Sequence, residues 1–374
     1  MDITAYLKDL EYLVNIDSGS DDPEGLNTVA AFFSHGFRDM GWIVREYDLA
    51  PQSGTCLVCA NREAQHYDLM LMGHLDTVFP KGTCAQRPFR IEGDRAYGPG
   101  VSDMKQGSLM IYYLLRSLPQ WIHEKLNILA IFNPDEEIGS IHSKPVYIPY
   151  AQITDYAFLY EAISKPFRAC HRRKGATQFQ VTFTGQAGHC GYVFTNGARS
   201  AISEMARWIT TLDGLQSKEK GTSVNVGVVS GGTKPNVVAE HAAMSVDIRF
   251  SLPEEAQQVE DTLRQLQQQA KDNGILAQIQ NKRGKLPLVP SEKAAAYIAH
   301  VTELAAQNGI PLEFKARGGL SDANILAQYG PVCLDGLGPA GGKEHSPHEY
   351  LQLDTIEPTF RLANLLLQDL ASNK

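Results

Sequence analysis

Cysteine is scarce in this chain, six residues among 374, and that excludes a disulfide framework. Cys56 and Cys59 form one C-x-x-C inside the apolar run Thr55 to Ala60, and no second pair exists to complete a zinc ribbon. On a strand their side chains face opposite sides, so both read as small core residues in a reducing compartment. Basic charge is also in short supply: 34 Lys and Arg against 42 Asp and Glu leave a net charge of −8. That balance argues against general nucleic-acid binding and against a polybasic membrane anchor. No apolar run approaches the ~18 residues of a membrane-spanning helix. Met1 to Asp9 shows neither the basic flank nor the apolar stretch of a secretory signal. The expected location is the cytoplasm, with neither a membrane nor nucleic acid as partner. The remaining composition is that of a globular protein, 43% hydrophobic and 20% charged. At ~150 residues per domain, the length asks for two or three domains.

Periodicity divides the chain. Ile3, Tyr6, Leu7, Leu10, Leu13 and Val14 recur at helical spacing, as do Leu26, Val29, Ala30, Phe33 and Phe37. Short apolar runs follow at 42–44, 55–60 and 69–72, then a helix over about 106–118 and strands at 126–132 and 156–160. Strands alternating with helices predict an α/β domain. From Gly175 to Lys285 the rhythm changes to strand, helix, strand, strand, helix, strand. That βαββαβ order is the ferredoxin-like split unit. Helices resume at 292–307 and 355–370. The chain therefore reads as an α/β domain, residues 1–174 and 286–374, interrupted by an inserted domain, residues 175–285. Gln265 to Gln269 reads as the solvated face of a helix.

Residues of metal-ligand type gather at predicted strand ends. His74 and Asp76 close the apolar run that starts at Leu69, and on a strand they share a face. Metal-binding imidazoles usually donate their second N–H to a carboxylate or carbonyl, and Asp76 is placed for that. Asp103 lies in the glycine-rich segment Gly98 to Gly107 just before a helix. The third glycine of a dinucleotide fingerprint would fall at position 103, and an Asp there would repel a pyrophosphate. Gly231 to Lys234 lacks the Gly-Lys-Ser/Thr order of a P-loop. Asp135, Glu136 and Glu137 follow the strand that ends near Phe132, and Glu161 follows the next one. Far downstream, Gly341 to Glu349 places His345 and His348 in a glycine-rich loop. Each feature alone is more often structural. Together they are much more specific.

In this order the motifs resemble the zinc-dependent amidohydrolases that include glutamate carboxypeptidases, aminoacylases, acetylornithine deacetylases and succinyl-diaminopimelate desuccinylases. The carriers are Gly73 to Val78, Gly98 to Gly107, Asp135 to Ser140, Gly318 to Ala323 and Gly342 to Glu349. The resemblance implies a di-zinc aminopeptidase-like α/β catalytic domain with an inserted ferredoxin-like lid that also forms a homodimer. It implies two Zn²⁺, with Co²⁺ or Mn²⁺ as substitutes, and a cis peptide after Asp103. Asp103 would bridge the ions, His74 and Glu161 would complete one, and Glu137 and His345 the other. Glu136 would be the general base and Asp76 would orient His74. Two ions, three carboxylates and a hydroxide sum to zero charge, which a dry site can hold.

Thr184 to Gly191 resembles the family's substrate-histidine loop. His189 would reach the partner subunit's site, although Cys190 stands where relatives usually have Ala. Asn236 and Arg249, on lid segments that resemble two further motifs, would hold a substrate carboxylate, and from neighbouring strands they could meet there. From the residues alone, Arg249 reads as a strand-edge ion pair. Arg283 or Lys285 could supply a further cation. The expected activity is that of a metallopeptidase of the glutamate-carboxypeptidase type, with an N-acyl-amino-acid deacylase as the alternative. The expected substrate is a small peptide or N-acyl amino acid.

Overall fold

The uninterrupted apolar runs form the middle of a sheet. The computed structural model describes residues 1–374 except the side chains of Lys282 and Arg283. Arg283 as an extra cation therefore lies outside the described residues, while Lys285 is buried. The chain divides into two units. Met1–Arg172, Val289–Arg317 and Ser321–Lys374 form the first, and Arg173–Leu288 with Gly318–Leu320 the second. Among the described residues no helix is long and apolar enough to cross a membrane.

The main sheet of the first unit has six strands, ordered Ile43–Asp48, Thr55–Ala60, Ile128–Asn133, Tyr67–His74, Thr154–Leu159 and Val332–Leu334. Only Thr55–Ala60 runs against the others. Tyr67–His74 and Ile128–Asn133 are buried at every position, as expected of parallel strands covered on both faces. Leu57, Cys59, Leu69, Leu71, Phe132 and Phe158 share one core with residues of helices Ile3–Val14, Pro23–Asp39, Lys105–Ser117 and Ile356–Ser372. Phe33 stacks on Phe132 with ring centroids 4.6 Å apart. Cys56 and Cys59 are both fully buried and free, and only Cys59 belongs to that core.

Helix starts follow local chemistry. The Asp2 carboxylate accepts the N–H groups of Thr4 and Ala5, a cap worth ~1 kcal/mol. Gly107 lets helix Lys105–Ser117 approach the neighbouring strand end, since a Cβ there would stand 2.1 Å from the Tyr160 carbonyl oxygen. The Asp103–Met104 peptide just before that helix is cis. In the sheet His74 pairs with Asn133, and Met72 with Leu159. This parallel register brings three strand ends level, at the edge where open α/β sheets build their sites.

The second unit runs Gly175–Thr184, helix Ala201–Asp213, Ser223–Gly231, His241–Phe250, helix Pro253–Asp272 and Leu276–Lys285. Its four-stranded sheet has the order Ser223–Gly231, His241–Phe250, Gly175–Thr184, Leu276–Lys285, all antiparallel. Burial alternates along His241–Phe250: Ala242, Met244, Val246, Ile248 and Phe250 are inside. The helices seal that face, with Trp208 edge-on to Phe183 at 5.0 Å. In helix Pro253–Asp272, Leu266 turns inward while Gln265, Gln267, Gln268 and Gln269 are exposed.

A small sheet escapes the sequence reading. Gly341–Gly342, Tyr350–Gln352, Arg95–Tyr97 and Arg90–Glu92 pair in that order. These strands have two or three residues each, too few to show a period. They frame the loop that carries His345.

Candidate metal centre

His74 ends its strand almost fully buried. Its Nδ1 lies 3.0 Å from the Asp76 carbonyl oxygen and 3.2 Å from Asp76 Oδ1. A proton on Nδ1 is therefore well held, and Nε2 faces Asp103 Oδ1 at 3.3 Å. Asp76, which is fully buried, has a second job that the sequence does not show. Its Oδ1 accepts the Glu136 N–H at 3.1 Å, and its Oδ2 accepts the Glu137 N–H at 3.0 Å and the Ser20 hydroxyl at 2.7 Å. One carboxylate thus sets both the imidazole and the backbone of the two glutamates.

Asp103 stands between two imidazoles: its Oδ2 is 3.2 Å from His345 Nε2. The same nitrogen is 3.2 Å from Glu137 Oε2, while Glu137 Oε1 is buried and makes no hydrogen bond. Ligand atoms of His74, Asp103 and Glu137 all lie within 4.8 Å of one another. His345 takes a left-handed backbone conformation, φ 60°, which costs a non-glycine residue on the order of 1–3 kcal/mol and is typical of functional sites. His348 is exposed and makes no ion pair with this group. Glu161 follows strand Thr154–Leu159, and its charge is felt by His74.

The electrostatics show what the cluster needs. Burial pushes the Glu137 carboxyl up to about 7, with His345 opposing and Asp103 adding to the rise. Burial also raises Glu161 well above the carboxylate range, against the pull of His74. For Asp103, burial is outweighed by His345 and His74, and its pKa falls. Burial disfavours the His74 cation, yet Asp103 and Asp76 carry its pKa well up. Hydrogen bonds to Asp103 and Glu137 lift His345 to about 11. Crowded carboxylates with one orphaned oxygen call for positive charge at their centre. Imidazole and carboxylate donors fit divalent zinc, cobalt or manganese.

The same loops contain acids to which the sequence reading gave no role. Asp135 is buried and accepts the His142 N–H at 2.6 Å and the Ser143 hydroxyl. Asp322, also buried, accepts the Asn133 amide at 2.8 Å, the Tyr147 hydroxyl at 3.2 Å and the Ser140 hydroxyl. These bonds brace the turn that bears Glu136 and Glu137. Asp135 was visible in the acidic triplet, but nothing local showed that it turns inward.

In the second unit His189 is exposed, and its Nδ1 accepts the Gly191 N–H at 3.1 Å. The strand Gly188–His189 pairs with Val237–Val238, which puts Asn236 beside it: the Asn236 carbonyl accepts the Cys190 N–H at 3.2 Å. Arg249 does not meet Asn236 within the chain. Asn236 lies near the His241 end of strand His241–Phe250, and Arg249 is near the other end, roughly 27 Å further along an extended strand. Arg249 donates instead to Asp247, Nε to Oδ1 at 2.7 Å and Nη2 to Oδ2 at 3.2 Å. The ion pair read from the residues is present, but on an interior strand rather than an edge.

The family model described as peptidase family M20/M25/M40 matches residues 70–369. The chain belongs to this family. Like its relatives, this member is a metal-dependent hydrolase of amide or peptide bonds. It is 29% identical to carboxypeptidase G2 of Pseudomonas sp. (strain RS-16) over 99% of this chain and 90% of that one. It is 24% identical to an acetylornithine deacetylase of Vibrio cholerae, covering 98% of this chain and 99% of the other. Among solved structures, a Staphylococcus aureus tripeptidase superposes with a TM-score of 0.83 at 21% identity, over 100% of this chain and 99% of that one. For this family member the likeness to known structures extends over both units.

Proposed function

We propose that the chain is a glutamate-carboxypeptidase-like metallo-exopeptidase that hydrolyses the amide bond next to an amino acid with a free carboxylate. The observation that carries this reading is Asp103, whose two oxygens face His74 at 3.3 Å and His345 at 3.2 Å. That is the stance of a carboxylate shared by two cations. His74 and Glu161 would complete one ion, Glu137 and His345 the other, with zinc as the metal and cobalt or manganese as substitutes. When bound there, a pair of divalent ions supplies Lewis acidity, lowering the pKa of water towards ~7 and polarising a carbonyl.

The chain's own residues do the rest. Asp76 holds the His74 Nδ1 proton, so the Nε2 lone pair faces the cluster. It also fixes the Glu136 backbone by accepting its N–H. The Glu136 carboxylate takes a proton from the attacking water as the O–C bond forms. It then passes this proton to the amine nitrogen as the C–N bond breaks.

Residues 175–285 act, in this reading, as a ferredoxin-like lid between the catalytic segments 1–174 and 286–374, and join two subunits of a cytoplasmic homodimer. His189 and Asn236, side by side on their ribbon, serve substrate bound at the other subunit's metal centre, and Arg249 holds the substrate carboxylate. A mixed dimer of a Glu136→Gln subunit and a His189→Ala subunit should regain one working site. Verified mixed dimers as inactive as both parents would argue that each lid serves its own subunit or that the two sites are coupled.

Metal should also stabilise the fold. Zinc at about 1,000 times its Kd adds ~4 kcal/mol by mass action, which raises Tm by about 5 °C for a chain of this length. His74→Ala should erase that shift together with most of the bound metal. Equal Tm for stripped and zinc-loaded protein would count against the centre.

Similarity to acetylornithine deacetylase over nearly the whole chain favours a second reading, an N-acyl-amino-acid deacylase. A panel run on zinc-loaded protein separates the two, using C-terminal glutamyl amides, N-acetyl and N-succinyl amino acids, and dipeptides. Preference for C-terminal glutamyl amides supports the carboxypeptidase. Preference for N-acetyl or N-succinyl substrates supports the deacylase.

A further inference from the structure

The loop Gly98 to Asp103 lies outside any helix or sheet, and three of its N–H groups converge on one side chain. Gly100 N–H donates to Glu349 Oε2 at 3.0 Å, while Ser102 and Asp103 donate to Glu349 Oε1 at 2.8 and 2.9 Å. Glu349 is buried to 2% exposure. A buried carboxylate without donors would be costly, and so would three buried amides without acceptors. Each satisfies the other. The loop curls round the carboxylate as backbone nests curl round anions.

The position of Glu349 gives this arrangement a consequence at the metal centre. It lies four residues beyond His345 and directly precedes strand Tyr350–Gln352. The neighbouring strand Gly341–Gly342 sits so close to the loop that a Cβ on Gly341 would fall 2.1 Å from Ser102 Oγ. One short segment therefore supplies His345 to the side chain of Asp103 and Glu349 to its backbone.

We propose that Glu349 is a positioning residue: by gathering the N–H groups of Gly100, Ser102 and Asp103, it fixes the Asp103 carboxylate between His74 and His345 so that it can bridge two ions. This rests on the two-ion reading above. It explains why the residue is an acid. A glutamine keeps one acceptor oxygen but turns an N–H₂ group towards the Gly100 N–H, and an aspartate is one methylene too short to reach.

The test uses Co²⁺ on stripped full-length protein, unmutated and Glu349→Gln, with binding isotherms and the visible absorption spectrum of the bound ion. Glu349→Gln should weaken Co²⁺ binding by about 10–100-fold, the usual cost of losing a partner behind a ligand. Its Co²⁺ bands should also change in position or intensity. A group that served the fold alone would lower Tm and leave the spectrum of the bound ion unchanged. Unaltered affinity and spectrum in folded Glu349→Gln overturn the proposal. If unmutated protein takes only one Co²⁺, the two-ion reading fails, yet the ratio of affinities between the two proteins still decides whether Glu349 positions Asp103. Amide exchange in the unmutated, metal-free protein tests the same point should the variant not fold. Protection at Gly100, Ser102 and Asp103 before metal is added supports a loop held by Glu349, and rapid exchange at all three refutes it.

Discussion

Glu136→Gln is expected to leave metal content nearly intact and to lower kcat by about 10⁴-fold, the upper end of what a positioned base contributes. The physical reason is narrow. The amide has almost the shape of the carboxylate but cannot accept the proton that hydrolysis must move. In the proposed roles Glu136 is not a ligand, whereas Glu137 is: its Oε2 stands 3.2 Å from His345 Nε2. Glu137→Ala should therefore lose metal as well as activity. Metal analysis and kcat on the same preparations separate the two effects. A Glu136→Gln protein with most of its activity would remove Glu136 as the base.

The second large effect concerns the substrate carboxylate. A two-metal centre by itself would hydrolyse many amides, so selectivity has to come from groups that fix the substrate beyond the scissile bond. Arg249 is oriented by Asp247 through Nε and Nη2. Arginine carries five N–H donors in a planar fork, so the edge at Nη1 can still pair with a carboxylate. Substrates with a free C-terminal carboxylate should be cleaved about 10³-fold faster in kcat/KM than their amidated forms, equivalent to ~4 kcal/mol. Arg249→Ala should abolish most of that ratio by slowing the acid substrate, with zinc content unchanged. Equal kcat/KM for acid and amide forms in the unmutated enzyme would remove both the carboxypeptidase and the deacylase readings, since both need that carboxylate.

Several elements could be read from neighbours in the chain. Helix Ile3–Val14 and strand His241–Phe250 carry their burial in their own periodicity. The apolar run before His74 and the one before Asp135 to Glu137 announce strands with polar ends, and parallel register then makes those ends level. The Asp247–Arg249 pair is also local, because alternate residues share a face of a strand. Arg249 and Asn236, which could have met on neighbouring strands, do not meet within the chain, because the extended strand His241–Phe250 carries Arg249 away from the segment that holds Asn236.

Other features depend on how the chain closes back on itself. Nothing near Glu349 shows that it binds amides 246–249 positions away, and Asn133 lies 189 positions from Asp322. The inward turn of Asp135, the two glutamate N–H groups on Asp76 and the stance of Asp103 between two imidazoles are of this kind. The sequence by itself determined the long helices, the apolar strands of the two larger sheets, the position of the candidate ligand residues at strand ends and, through its motifs, the family. The tertiary structure alone decided which carboxylates face the centre and which ones hold its loops. Periodicity is a relation between neighbouring residues and survives in the linear order. The direction of a buried carboxylate is set by donors that arrive from distant segments, and these become its neighbours only when the sheet and its loops are assembled.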